Sequence, residues 1–256
     1  MSEKQIQLKH QLDELYYKYN NKSFIENDPI CIPHQFSLKQ DIEIMGFFAS
    51  ILAWGQRKTI INSNTKLIEI FENKPFDFIL NHQESDLKKC FKFVHRTFND
   101  TDLISIISYL KEIYTQNESM EFAFSEYISK NNTNIENGLI GFRKKFEKSH
   151  AFIDRTKKHI ASPLSGSACK RLNMFFRWMV RKDNAGVDFG IWQTIKPSQL
   201  ICPLDVHVIR QAIDLGIIKS DKADWKNAVF LTQQLKKMDK NDPVKYDFAL
   251  FGRGVN

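Results

Sequence analysis

Two short segments of this chain carry residue types at spacings that could do chemistry. The first is the small-residue run Ser162-Pro163-Leu164-Ser165-Gly166-Ser167-Ala168, followed at once by Cys169, Lys170 and Arg171. A tight turn that opens a helix leaves backbone N–H groups unpaired at the helix start. Those donors and the helix dipole together suit an anion such as a DNA phosphate. An ordinary connection between two helices would use the same residues. Lys170 falls in the first turn of the following helix, where the positive helix end and the Arg171 cation both disfavour an ammonium. A neutral amine is what a Schiff-base nucleophile needs, and a plain phosphate contact is the other use of a lysine in that place.

The second segment is Leu200-Ile201-Cys202-Pro203-Leu204-Asp205-Val206-His207-Val208-Ile209-Arg210. Pro203 stops what precedes it, and Asp205 stands where a helix N-cap belongs. A capping carboxylate is held rigidly and ionised, so it can also stabilise a cation that develops beside it. Cys202, Asp205 and His207 are metal-ligand types. One Cys with one His lacks the clustering a metal centre needs, so no metal site is expected.

Charge singles out the same region. The chain has 37 Lys and Arg against 30 Asp and Glu, a net charge of +7. Residues 140–182 hold Arg143, Lys144, Lys145, Lys148, Arg155, Lys157, Lys158, Lys170, Arg171, Arg177, Arg181 and Lys182, opposed only by Glu147 and Asp154. That stretch is strongly cationic and the remainder slightly acidic, a pattern expected of a polyanion-binding face. A solvated helix face reads the same way.

The elements that must position these residues are helical. Only 10 Gly and 7 Pro occur in 256 residues, well below the average of roughly 12%, which argues against a turn-dense sandwich or barrel. Leu8, Leu12, Leu15, Tyr16 and Tyr19 predict a helix over 4–19. Residues 27–37, with Pro29, Cys31 and Pro33, read as an irregular connection. An apolar helix from about Leu38 to Ala53 and a second from Thr59 to Phe71 follow. Shorter helices are expected at 74–80, 84–93, 100–114 and 119–130, the third capped by Asp100 or Thr101. Asn131 to Gly138 is a polar loop and a soft boundary. Helices at about 139–146 and 153–160 lead to the small-residue turn and an apolar, basic helix from Cys169 to Arg181. Residues 183–199 read as an inserted loop. Further helices are expected from Asp205 to Leu215, over 224–238, and over 246–251 behind Asp242-Pro243. The fold class is all-α, with no internal repeat. The four cysteines are isolated, so neither a disulfide framework nor a sulfur-ligated metal is expected. No run of about 18 apolar residues occurs and the N-terminus mixes charges throughout, so neither a membrane span nor a signal peptide is expected.

Four segments, in order, resemble the helix-hairpin-helix DNA glycosylases. Leu164-Ser165-Gly166-Ser167-Ala168-Cys169-Lys170 resembles their hairpin L-P-G-x-G-x-K. Pro203-Leu204-Asp205-Val206-His207-Val208-Ile209-Arg210 resembles the downstream V-D-x-H-V-x-R that carries their catalytic aspartate. Ile51-Leu52-Ala53-Trp54-Gly55-Gln56-Arg57-Lys58-Thr59 is similar to the early L-S-x-Q-x-T, with Gln56 on its glutamine. Ala249-Leu250-Phe251-Gly252-Arg253 looks like the closing L-x-G-R. The resemblance covers about residues 40–256 and treats 1–256 as one all-α unit. The helix-hairpin-helix element falls at about 153–181 and the Asp-bearing segment at 200–216. Ser165 replaces the hairpin proline, Ala168 replaces its second glycine, and the 183–199 insertion lengthens the Lys170-to-Asp205 separation. That separation is similar to the archaeal type of 8-oxoguanine glycosylase, and the chain as a whole looks like a bacterial family filed as a domain of unknown function. The cysteines for the iron–sulfur loop found in some members are missing after Arg253.

The resemblance implies a helical fold with a substrate cleft between two subdomains, and a DNA-repair enzyme that excises a damaged base, an oxidised purine by analogy, from duplex DNA. Lys170 would attack C1′ and form a Schiff base with lyase activity, and Asp205 would stabilise the oxocarbenium-like cation. Gly166, Ser167, Ala168, Arg171, Arg177, His207 and Arg210 would contact DNA. Gln56 would fill the gap left by the flipped base, and Trp54, Phe248 and Phe251 are candidates for its pocket, although aromatic residues serve cores too. The implied protein needs no cofactor, no metal and no iron–sulfur cluster, works as a monomer on lesion-bearing duplex DNA, and belongs in the cytoplasm with the nucleoid, away from membranes. Two alternatives stay open: a helix-hairpin-helix DNA-binding protein without chemistry, and a protein acting on RNA or another polyanion.

Overall fold

Helical periodicity in the sequence becomes helix almost throughout a computed structural model that describes residues 2–255. In chain order the α-helices are α1 Glu3–Tyr19, α2 Lys22–Glu26, α3 Lys39–Ile51, α4 Arg57–Ile70, α5 Pro75–Asn81, α6 Asp100–Gln116, α7 Glu121–Ser125, α8 Glu136–Lys148, α9 Lys170–Val180, α10 Val206–Asp214, α11 Trp225–Lys236 and α12 Asp247–Val255. Among the described residues the only strands are Val94–His95 and Phe98–Asn99, an antiparallel pair with Val94 opposite Asn99. None of the described helices is long and apolar enough to cross a membrane.

The departures from expectation have local causes. The helix expected at 84–93 is a 3₁₀ segment, Asp86–Cys90, and the connection at 27–37 holds two more, Pro29–Cys31 and Pro33–Gln35. The cap of α6 is Asn99, rather than Asp100 or Thr101. Its Oδ1 accepts from Asp102 N at 3.3 Å while Asp102 Oδ2 accepts from Asn99 N at 3.1 Å, a reciprocal capping box. The helix expected at 153–160 is also 3₁₀, Asp154–His159. Arg143 Nη1 donates to the carbonyls of Lys157 and Ile160, both at 2.6 Å, and so satisfies acceptors at the end of that short segment.

The chain divides into two units. One comprises residues 1–26, 130–137 and 162–256, the other 27–129 and 138–161. In the second unit the core is aromatic. Phe124 stacks on Phe142 at 3.9 Å, and Phe47 and Tyr109 meet Phe142 edge-on. Burial of each such ring contributes about 1.5–3 kcal/mol.

The first unit is built around α9. Every residue from Leu172 to Val180 is buried, which leaves this helix no solvent-facing stripe beyond its first turn. α12 packs against both α1 and α10. Gly252 permits the first contact, since a Cβ there would lie 2.3 Å from the Tyr19 ring. The closing Gly-Arg pair therefore has a packing reason, and Arg253 adds an ion pair with Asp214 at 2.5 Å.

Candidate active site

The small-residue turn is a chain of short hydrogen bonds. Ser162 caps a 3₁₀ turn, Pro163–Ser165, by accepting from Leu164 N, and Gly166 closes it at φ +74°, with its N–H on Pro163 O at 2.8 Å. Ser167 Oγ then accepts from Cys169 N at 3.1 Å, and Cys169 takes a left-handed conformation (φ +50°) as the cap of α9. Asn173 Nδ2 reaches back to Ala168 O at 2.9 Å. The turn thereby delivers Lys170 as the first residue of a helix whose remainder is buried.

Asp205 caps α10 as expected. Its Oδ1 accepts from His207 N at 2.9 Å and Val208 N at 3.0 Å. Its other oxygen, Oδ2, lies 3.5 Å from Lys170 Nζ, with the two side chains 28% and 19% exposed. The two residues, far apart in sequence, are thus one ion pair, rigid at its carboxylate end and open to solvent. The amine that the sequence places beside the Arg171 cation has an anion as its neighbour too.

Behind the pair stands Asp247, the first residue of α12, which is buried. Its Oδ2 accepts from Arg177 Nη1 at 2.5 Å, and Cys202 Sγ lies 3.9 Å from its Oδ1. Burial pushes the Asp247 carboxyl up to about 6; Arg177 pulls it back down, and the Asp205 charge adds to the rise. Sequence reading missed Asp247. Its signal was a Pro-started turn running into an apolar helix, which reads only as a helix start.

Arg177 must be corrected. Expected to contact DNA, it is 3% exposed, with Nε on Asp188 Oδ1 at 3.2 Å and its guanidinium 4.3 Å from the Phe248 ring centroid. Arg181, one turn on, is fully buried and pairs with Asp188, Asp183 and Asp242. These two cations belong to the interior, which removes them from any external basic face; Lys182 beside them is exposed. Phe248 is corrected for the same reason. It is fully buried, edge-on to Tyr16 and Phe24, and roofs the arginines, so it is core rather than pocket wall.

The 183–199 loop explains where those charges go. It carries Asp183 and Asp188 and lies along α9: Phe189 N donates to Trp178 O at 2.8 Å, and Trp192 N to Met179 O at 2.9 Å. Trp192 meets Phe175 and Phe176 edge-on. The loop is irregular, as expected, and forms part of the core.

The remaining candidates separate. Gly166 is exposed, Ser167 and Arg171 are half-buried, and Ala168 is buried, so its side chain offers nothing to a ligand. His207 Nδ1 is 3.3 Å from Gly254 O, and Arg210 projects from α10 into solvent. Phe251 is half-buried beside Phe24. Gln56 and Trp54 belong to the second unit. Gln56 is exposed and precedes α4 without a side-chain capping bond. Trp54 lies under the Arg96 guanidinium at 4.8 Å and edge-on to His95.

Among the described residues no group of three or more His, Cys, Asp or Glu side chains is placed to hold a metal ion. The cysteines are free thiols; Cys169 is pushed up to about 12 and Cys202 well above the ordinary thiol range by burial, so neither is a nucleophile at neutral pH. No curated protein and no solved structure matches the chain. A family match does cover residues 28–256, and on that extent the chain belongs to the family described as "Protein of unknown function (DUF2400)".

Proposed function

We propose that this protein is a DNA-repair glycosylase of the helix-hairpin-helix kind with an associated lyase step, acting through Lys170 and Asp205. One observation carries the reading: Lys170 Nζ and Asp205 Oδ2 lie 3.5 Å apart at the starts of two helices, both reachable from solvent, beside an exposed glycine turn. An amine and a carboxylate at that distance suit attack at an anomeric carbon with charge support. The motif order in the sequence adds the substrate class.

In this reading a damaged nucleotide is rotated out of the duplex. Lys170 Nζ, as the neutral amine after its proton has left to solvent, bonds to C1′ as the N-glycosidic bond breaks and its electron pair leaves with the base, which takes up a proton, and Asp205 stays ionised. The aminal opens to a Schiff base, with O4′ protonated. Loss of a C2′ proton then expels the 3′ phosphate and cuts the strand. Asp205 supports the positive charge at C1′ while its cap bonds keep it still. The exposed Gly166 turn and Lys182 supply backbone contacts, and Arg177 supplies none.

The test is borohydride trapping of the purified protein on duplexes bearing oxidised, alkylated or deaminated bases or an abasic site. The expected result is a covalent adduct that maps to Lys170 and is absent from Lys170→Gln. Salt-sensitive duplex binding with no base release and no adduct on any lesion would leave a DNA-binding protein without chemistry and overturn the reading.

A further inference from the structure

Away from the Lys170–Asp205 pair, the first unit carries a groove of about 820 Å³ between the end of α10 and the start of α11, within the size range of small-ligand sites. Its shape is fixed by the backbone. Gly216 ends α10 at φ +67°, and the amides of Ile217 and Ile218 both return to Ala212 O. Asn227 Nδ2 ties down the following loop by donating to Ser220 O at 3.0 Å and Lys222 O at 2.8 Å.

The lining has two parts. Ile217, Trp225 and Phe230 give an apolar and aromatic wall, with Phe230 46% exposed. Lys219, Lys222 and Lys226, all exposed, line the same groove, and no ion pair engages them among the described residues. Two carboxylates also line it, Glu136 and Asp224, but Asp224 Oδ1 is held by Asn227 N at 2.8 Å as the cap of α11.

We infer that the groove binds a nucleoside monophosphate unit, its base against Phe230 and Trp225 and its phosphate on the lysines. An aliphatic anion would meet the lysines but gain nothing from the aromatic faces. A neutral aromatic would leave three cations unused. A planar heterocycle joined to an anion answers both the aromatic wall and the cations. The groove also communicates with the turn before Lys170. The backbone N–H of Trp225 donates to Gly166 O at 3.1 Å, and Ser167 and Asp224 form an antiparallel bridge. Trp225 therefore presents its side chain to the groove and its backbone to the turn. The unit could come from a free nucleotide or from an unpaired nucleotide of a strand held at the turn, and the experiment separates these.

The full chain is titrated with adenosine monophosphate and separately with a deoxytrinucleotide, by calorimetry and tryptophan emission. Saturable binding of the mononucleotide identifies a free nucleotide as the source, and binding of the trinucleotide alone identifies a strand. In either case the Lys219→Ser/Lys222→Ser/Lys226→Ser variant, altered only at exposed positions, should bind at least about tenfold more weakly. Phe230→Ser, at an exposed position, should weaken binding by a similar factor, and Trp225→Phe, which keeps a ring, should bind but lose most of the emission change. Saturable binding of neither probe, an unchanged affinity in the triple variant, or equal affinity for inorganic phosphate alone would overturn the assignment. Lys170→Gln should bind the mononucleotide, which does not extend to the turn, as wild type does, so a failure of this site and a failure of the proposed glycosylase chemistry are distinguishable.

Discussion

Lys170 and Asp205 meet at 3.5 Å through one carboxylate oxygen only, because the other, Oδ1, is committed to two backbone N–H groups of α10. The division of labour makes the two roles of Asp205 separable. Asp205→Asn keeps an acceptor for the cap, since Asn caps about as well as Asp, whereas Asp205→Ala loses it at a cost of about 1 kcal/mol. Thermal unfolding should therefore order the proteins as wild type close to Asp205→Asn, with Asp205→Ala lower. On the proposed chemistry both variants lose orders of magnitude in base release, because the charge facing C1′ is gone. An Asp205→Asn enzyme as active as wild type on every lesion that wild type processes would reduce Asp205 to a cap.

Arg177 and Lys182 should part company in opposite directions. Arg177 is buried between Asp188 and Asp247, so Arg177→Ala strands two carboxylates and should cost about 3–5 kcal/mol, read as a lower urea midpoint. At a temperature where the variant stays folded, the salt dependence of its duplex binding should match wild type. Lys182 is exposed, and if it contacts a phosphate, Lys182→Ala should leave stability alone and lower the slope of log K against log salt by about 0.9. A flattened slope in Arg177→Ala with unchanged stability would contradict the buried placement.

What was legible in the sequence was what is settled locally. The Asp205 cap, the start of α9 near Lys170 and the helical class all follow from residues within a turn or two of one another. The fate of Arg177 and Arg181 was not legible, because it depends on partners from far along the chain. A charge sum over 140–182 stops one residue short of Asp183 and takes no account of Asp188, Asp242 or Asp247, the carboxylates that neutralise the pair. The one local hint was their four-residue spacing on a helix otherwise apolar at almost every position. Phe248 was ambiguous for a similar reason: an aromatic near the chemistry reads alike whether it lines a pocket or roofs a buried cation. The proximity of Lys170 and Asp205 was expected from the resemblance alone, since no spacing rule carries a contact across so long a stretch of chain.

The 183–199 loop offers a paired test of space against strain. Gly186 and Gly190 both have positive φ, +70° and +58°. A Cβ at Gly186 meets nothing within 4 Å, so Gly186→Ala should cost only the left-handed conformation, about 1–2 kcal/mol. At Gly190 a Cβ would fall 2.4 Å from Lys182 Cβ and 2.9 Å from Arg181 O, and backbone must move to admit it. Gly190→Ala should therefore lower the melting temperature distinctly more than Gly186→Ala, and should loosen Asp188, two residues away, from Arg177 and Arg181. Equal melting temperatures for the two variants would mean that this loop does not lie on α9 as described.

Asp247 gives the fold a pH dependence of definite sign. Burial raises its carboxyl from the ordinary value of 3.8 to about 6, so between those values the folded protein holds a proton that the unfolded chain releases. Stability from this group is then fully present below about pH 4 and falls as pH rises to about 6, levelling off above that. Asp188 is raised in the same direction, by burial working against Arg177 and Arg181, and adds to the trend. Asp247→Asn cannot titrate, and Asn still offers an oxygen to Arg177. The difference in unfolding free energy between this variant and wild type should change by on the order of 2–3 kcal/mol between pH 4 and pH 7, wild type losing relative ground as pH rises. Urea unfolding of both proteins across that range measures it, because the other titrating groups are common to both and cancel in the difference. A pH-independent difference would place the Asp247 carboxyl at its ordinary value. A difference of the opposite sign would mean that Arg177 outweighs burial and holds Asp247 ionised.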